Sequence, residues 1–200
     1  MKKVFIDCGA HDGCSVRKFK DLYDTANEYE YHCFEMNDKL YHFFDDMPTN
    51  VTLHKKAVSS SDKGALMLRQ GMTGGSTIEH QKMKSLFTKQ VRRHECMLFD
   101  FDEVNKIGRL KEKYVQSVDL SKWIKDNFSI DDYIILKMDI EGAEYEIITS
   151  MLLGDTFKYI KELFIEFHMT GLWDLNLINR EIRNSNPDIS IDDTWDAMHF

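Results

Sequence analysis

Val4-Phe-Ile-Asp-Cys-Gly-Ala-His-Asp-Gly13 is an apolar strand that ends in Asp7, enters a turn carrying Gly9 and Gly13, and opens a helix. That order builds a nucleotide-type pocket at the carboxyl end of a buried parallel strand. Gly9 lets the backbone pass close to a ligand, and Gly13 lets the following helix pack tightly on its strand. Asp7, at the strand tip, accepts hydrogen bonds from ligand groups or braces the amides of the loop. The next strand-like run, Glu30-Tyr-His-Cys-Phe-Glu35, also ends in an acid. A carboxylate at that place takes both hydroxyls of a ribose.

Outward from this pair of loops, strands and helices alternate. Strands are predicted over 3–7, 30–35, 51–58, 133–139 and 160–167, the last two continuously apolar as buried parallel strands are. Helices are predicted over 14–26, 38–46, 119–128 and 143–153, with Asp119 either capping its helix or serving a site. The pattern implies an α/β fold: one doubly wound, mostly parallel sheet with helices on both faces, forming a single domain over 1–200.

The glycine spacing separates two cofactor types. In the dinucleotide fingerprint G-x-G-x-x-G the first glycine would fall on Asp7. The D-x-G-x-x-x-G pattern followed by a strand ending in Glu35 instead resembles the first two motifs of class I S-adenosylmethionine-dependent methyltransferases. Tyr133-Ile-Ile-Leu-Lys-Met-Asp-Ile-Glu-Gly-Ala-Glu-Tyr-Glu-Ile-Ile148 is a buried strand that breaks into polar residues and restarts as a helix. With Val115-Gln-Ser-Val-Asp-Leu-Ser-Lys-Trp-Ile124 before it and Leu163-Phe-Ile-Glu-Phe-His168 after it, this region resembles the FkbM family of O-methyltransferases. Lys56-Ala-Val58 and Gly75-Ser-Thr-Ile78 are further family-like words. The resemblance runs from about Val4 to His168; Met36-Asn37 stands where a proline is common, and the tail after Trp173 matches no family feature.

The resemblance implies methyl transfer from S-adenosyl-L-methionine to a hydroxyl of a sugar, glycan or related small molecule. It places the methionine tail over the loop of Asp7, Gly9, Ala10, His11 and Gly13, and the ribose at Glu35 beside Met36. The adenine falls near Ala57 and Val58, with Ser76, Thr77, Asp139 and Glu141 completing the cofactor side. For the chemistry, Asp139 ends its strand beside the methyl, while Glu166 and His168 share one face of the next strand. Histidine's ordinary pKa suits proton transfer at neutral pH, so His168 is the first candidate base, with Asp139 and Glu166 beside it. Asp139, Glu166 and His168 are also possible ligands for a divalent metal such as Mg, although a metal is not expected because no dedicated metal signature is present. Glu141 and Glu144 hold the turn by bonding its amides, and at least one of Glu144 and Glu146 is solvated. Two other readings stand beside this one: an NAD-dependent oxidoreductase, and a non-catalytic S-adenosylmethionine-binding module.

Composition narrows the classes further. At 200 residues and 42% hydrophobic the chain can bury one sizeable core, and its net charge of −8, spread along the sequence, argues against nucleic acid as the main partner. Cys8, Cys14, Cys33 and Cys96 form no C-x-x-C pair and read as reduced thiols of a cytoplasmic protein. Met1-Lys2-Lys3 leads straight into the first strand, so no signal peptide is expected, and no apolar run reaches the roughly 18 residues of a membrane span. Residues 70–113 are the least regular part, with a glycine loop and a basic stretch of Lys82, Lys84, Lys89, Arg92 and Arg93. Three readings stay open for it: a solvated helix, a lid or acceptor-side insertion, and a homodimer surface.

Overall fold

The computed structural model describes residues 1–69, 76–79, 112–168 and 173–193. In chain order it begins with β1 (Lys3–Cys8), α1 (Cys14–Tyr23), β2 (Tyr29–Phe34), β3 (Val51–His54) and β4 (Ala57–Ser59). Next come β5 (Ala65–Arg69), β6 (Ser76–Glu79), β7 (Glu112–Val115), β8 (Ser117–Asp119) and α2 (Leu120–Asn127). Finally come β9 (Tyr133–Met138), α3 (Glu144–Leu153), β10 (Ile160–Ile165), α4 (Leu175–Ser185) and β11 (Ser190–Asp192).

Six strands form the main sheet in the order β11-β10-β9-β1-β2-β3, and every pairing in it is parallel. Alternation along its central strands feeds two cores. Val4, Ile6 and Cys8 of β1 and Ile134, Leu136 and Met138 of β9 pack with Leu120, Ile124, Ile147, Ile148 and Met151 of α2 and α3. Phe5 and Ile135 point the other way and pack with Val16 and Phe19 of α1. Helices therefore cover both faces, and each fully buried Ile, Leu or Phe contributes roughly 1.5–3 kcal/mol of transfer free energy. The chain leaves β1 toward β2 and β3, then returns beside β1 and winds the other way through β9, β10 and β11. A crevice must open where that direction reverses, at the carboxyl ends of β1 and β9.

Several expected boundaries shift for local reasons. The strand expected over 51–58 divides, because Lys56 N turns back to the His54 carbonyl at 2.8 Å and β4 pairs with β8 instead. The helix expected over 38–46 is a 3-10 helix over Asp38–Phe44, started by Asn37, whose side chain accepts from Lys39 N. α1 ends at Tyr23, since Asp24 accepts from Glu28 N and the Tyr31 hydroxyl and so turns the chain into β2. Asp119 does cap α2, accepting from Lys122 N at 3.0 Å. The antiparallel sheet β6-β5-β7 was not expected. Residues 70–75 and 80–111, and with them Cys96, the basic stretch and most of the region read as a lid, lie outside the described residues. The described part of the tail, to residue 193, belongs to the fold: Asp174 caps α4, Ile182 enters the first core, and β11 pairs with β10. Cys8, Cys14 and Cys33 are free thiols whose pKa values burial raises. No helix among the described residues is long and apolar enough to cross a membrane.

Candidate active site

Two loops meet at the carboxyl ends of β1 and β2. Gly9 N and Ala10 N both donate to the Phe34 carbonyl, at 3.1 and 3.0 Å, which ties the glycine loop to the tip of β2. Glu35 then locks that junction: its Oε2 accepts from His11 N at 2.9 Å and its Oε1 from Asn37 N at 2.6 Å. Burial raises the pKa of Glu35, opposed by the amides of Asn37 and His11. The backbone approach that demands glycine at position 9 is internal. With φ at 79°, a Cβ there would stand 1.9 Å from the Asp139 carbonyl oxygen. Gly13, also left-handed, precedes α1, and a Cβ on it would meet Met47 Cε at 2.5 Å, so it packs on the segment after β2 rather than on its own strand. Asp12 Oδ1 accepts from Cys14 N at 3.0 Å and places a carboxylate at the start of α1.

Behind the loop lies a buried ion pair. Lys137 and Asp7 are register partners on β9 and β1, 1% and 0% exposed. Lys137 Nζ stands 3.1 Å from Asp7 Oδ1 and 3.5 Å from Asp139 Oδ2, and donates to the Gly9 carbonyl at 3.0 Å. The Asp7 contact is an ion pair off the line of a hydrogen bond. Burial works against the charge on Lys137, yet the facing carboxylates of Asp7 and Asp139 hold its pKa above the ordinary value. Burial also pushes Asp7 up, against the pull of Lys137. A lysine is tolerated in this core because it joins three elements of the site.

The third group gathers on the turn after β9 and the end of β10. Glu144, fully buried at the start of α3, accepts with Oε1 from Ile140 N at 3.0 Å, Gly142 N at 3.2 Å and His168 Nδ1 at 2.9 Å. The turn it holds carries Glu141 at a left-handed φ of 58°, as Asn27 and Asp155 also adopt in turns elsewhere. His168 thereby directs Nε2 toward Glu141 Oε2 at 3.6 Å, Glu166 Oε1 at 3.7 Å and Asp139 Oδ1 at 3.9 Å. Burial opposes charge on His168, but the Glu144 hydrogen bond and the charges of Glu144, Glu141 and Asp139 outweigh it and raise its pKa to about 9. The surrounding acids favour the charged form of this imidazole beyond what its ordinary pKa suggested. Glu141 moves up through burial, with His168 pulling it down. Asp139, Glu141 and His168 each offer a metal-ligand atom within 4.8 Å of the others.

The site therefore brings together Asp7, Gly9, Ala10, His11 and Glu35 on one side and Asp139, Glu141, Glu166 and His168 on the other. Other expected residues have the following surroundings. Ala57 and Val58 are core residues, 4% and 3% exposed, and Met36 packs against the same core. Ser76 and Thr77 lie on β6 of the small sheet, where the backbone alone is described. Glu146 is paired with the Ser60 hydroxyl. A groove of about 710 Å³ beside α2, lined by Lys56, Asp62, Trp123 and Asp126, includes none of the clustered acids. Sequence reasoning missed Lys137 as a site element, and it missed the link from Glu144 to His168. Lys137 carried a signal, since a lysine in an otherwise apolar buried strand has to find carboxylates. The Glu144 link carried none, because it joins residues brought near only by the crossing from α3 to β10.

A glycine loop tied to an acid at the tip of the neighbouring strand, on a parallel sheet with a central reversal, defines a Rossmann-like α/β enzyme. The chain matches the model of the Methyltransferase FkbM domain over residues 7–186 and belongs to that family of methyltransferases. The match takes in α4, beyond the His168 limit of the resemblance read from the sequence. No curated protein and no solved structure matches the chain.

Proposed function

We propose that the chain transfers a methyl group from S-adenosylmethionine to a hydroxyl of a sugar, glycan or related small molecule. The observation that carries this reading is the placement of the Glu35-locked glycine loop and the cluster of Asp139, Glu141, Glu166 and His168 at the carboxyl ends of neighbouring parallel strands, β2 and β1 for the one and β9 and β10 for the other. The residues present suit such a donor. Each Glu35 oxygen accepts one amide in the described contacts, and a carboxylate offers about four lone-pair sites, so capacity remains for ribose hydroxyls. Asp12 at the start of α1 would repel a pyrophosphate at that helix end, which favours a phosphate-free cofactor over NAD.

When bound, the donor supplies an electrophilic sulfonium methyl, so the chain has only to align a hydroxyl oxygen and accept its proton. Asp139 and His168 flank that hydroxyl in this reading, and the carboxylates around His168 receive the proton. Free thiols and the expectation from cysteine spacing are consistent with a reducing, cytoplasmic setting.

Calorimetry with S-adenosylhomocysteine and with NAD tests the cofactor. Binding of the former alone is expected, weakened at least several-fold in Glu35→Ala; NAD binding, or no binding of either, overturns the reading. Transfer of a labelled methyl to free monosaccharides and glycans tests the acceptor, and label found only on nitrogen or carbon acceptors overturns that part.

A further inference from the structure

We propose that Asp139, Glu141 and His168, whose ligand atoms lie within 4.8 Å of one another, bind one divalent cation of the oxygen-preferring kind, Mg²⁺ or Mn²⁺, with Glu166 beside them. The first support is spacing. His168 Nε2 stands 3.6, 3.7 and 3.9 Å from oxygens of Glu141, Glu166 and Asp139. All three separations exceed hydrogen-bond length, about 2.7–3.2 Å. Two donors that share an octahedral ion at about 2.1 Å stand about 3.0 Å apart when adjacent and about 4.2 Å apart when opposite. The observed separations are wider than adjacent positions, so the side chains would draw in by less than an ångström around a bound ion.

The second support is independent of the cluster: two of its members are held from behind by buried partners. Glu144, with no exposed surface, accepts from His168 Nδ1, so Nε2 is the nitrogen presented to the acids. Lys137, 1% exposed, draws Asp139 Oδ2 to 3.5 Å and leaves Oδ1 facing His168. A carboxylate behind the far nitrogen of a histidine, and a bonded second oxygen on a carboxylate, are the outer contacts by which proteins orient metal ligands. Acids that merely share a solvated surface have no such backing. Two carboxylate oxygens and one imidazole nitrogen, with no thiolate, select a hard cation over a soft one.

Three protein donors leave three of six octahedral positions. That is room for the acceptor hydroxyl and a neighbouring oxygen, which points to acceptors carrying adjacent hydroxyls. This last step rests on the methyl-transfer reading, whereas cation binding itself does not.

The test is titration of the full chain with Mn²⁺, without methyl donor, followed by the electron paramagnetic resonance of the free ion. One Mn²⁺ per chain is expected, displaced by excess Mg²⁺. Glu141→Gln and His168→Gln should each weaken it at least tenfold, and Asp126→Asn on the surface of α2 should not. Substoichiometric Mn²⁺ added to the wild-type chain should broaden the imidazole resonances of His168 before those of His42, a readout that needs no variant to fold. Absence of Mn²⁺ binding up to millimolar concentration, binding undiminished in both cluster variants, or broadening that begins at His42 overturns the proposal. Cation binding without S-adenosylhomocysteine binding would sink the methyl-transfer reading and leave this site standing; the opposite pattern would do the reverse.

Discussion

Lys137→Met removes the ammonium that faces Asp7 while keeping most of the volume of the side chain. With the two groups 3.1 Å apart, an effective dielectric of about 20 gives an attraction of about 5 kcal/mol. Removing one partner of a buried pair costs roughly 3–5 kcal/mol because the other is left charged and dry. We expect a loss of that size in urea unfolding at pH 8. Asp7 has an escape, since it can take up a proton. Its folded pKa, already raised by burial, rises further in the variant, so the folded state holds a proton that the unfolded state has released. Stability of the variant therefore falls as pH rises from the unfolded value near 3.8 to the folded one, by about 1.4 kcal/mol per unit, and then levels. The loss at pH 5 should be clearly smaller than at pH 8, and Asp7→Asn combined with Lys137→Met should restore most of it. A loss under about 1 kcal/mol at pH 8, or an equal loss at both pH values, would refute the argument.

Glu144→Ala strands two turn amides and the His168 imidazole, and should cost about 3–5 kcal/mol, with Glu144→Gln costing about half of that; chemical denaturation reads both. Gly9→Ala drives a methyl into the Asp139 carbonyl at a left-handed φ and should lower the melting temperature steeply, whereas a near-native melting curve would show that the two loops are not as tightly joined as described. Asp24 is held below its ordinary 3.8: burial opposes, but the amides of Glu28 and Tyr29 and the Tyr31 hydroxyl prevail. Its contribution is complete above 3.8 and drains as pH falls through the folded value, so Asp24→Asn should flatten the acid limb of the unfolding curve in that window.

Much of this architecture was written in local pattern. The runs at Val4 and Tyr133 are apolar on both faces, which only a covered parallel strand requires, and both form central strands. Glu35 was legible as a strand-tip acid, and Asp139 as the polar break in an apolar run. What stayed hidden depends on partners far away in sequence. Nothing near Val51 says that β3 stops at His54, because β4 is captured by β8, which lies beyond the small antiparallel sheet. The C-terminal tail looked unrelated since its pieces are short and half polar; α4 shows its role only when Ile182 finds the first core. The pKa of His168 was unreadable for the same reason, as the acids that raise it arrive from β9, its turn and α3.

The pairing of β1 with β9 gives the molecule a seam between its early and late halves. Lys137 reaches the Gly9 carbonyl across 128 residues, and Lys2 N reaches Asp132 across 130. Contacts of such sequence separation carry a large loop-closure entropy and form late relative to the helices around them. The glycine loop and Glu35 belong to the early half, and the cluster around His168 belongs to the late one, so neither half holds a working crevice by itself. During synthesis the chain passes through a long stage in which Glu35 and the glycine loop exist and the cluster around His168 does not.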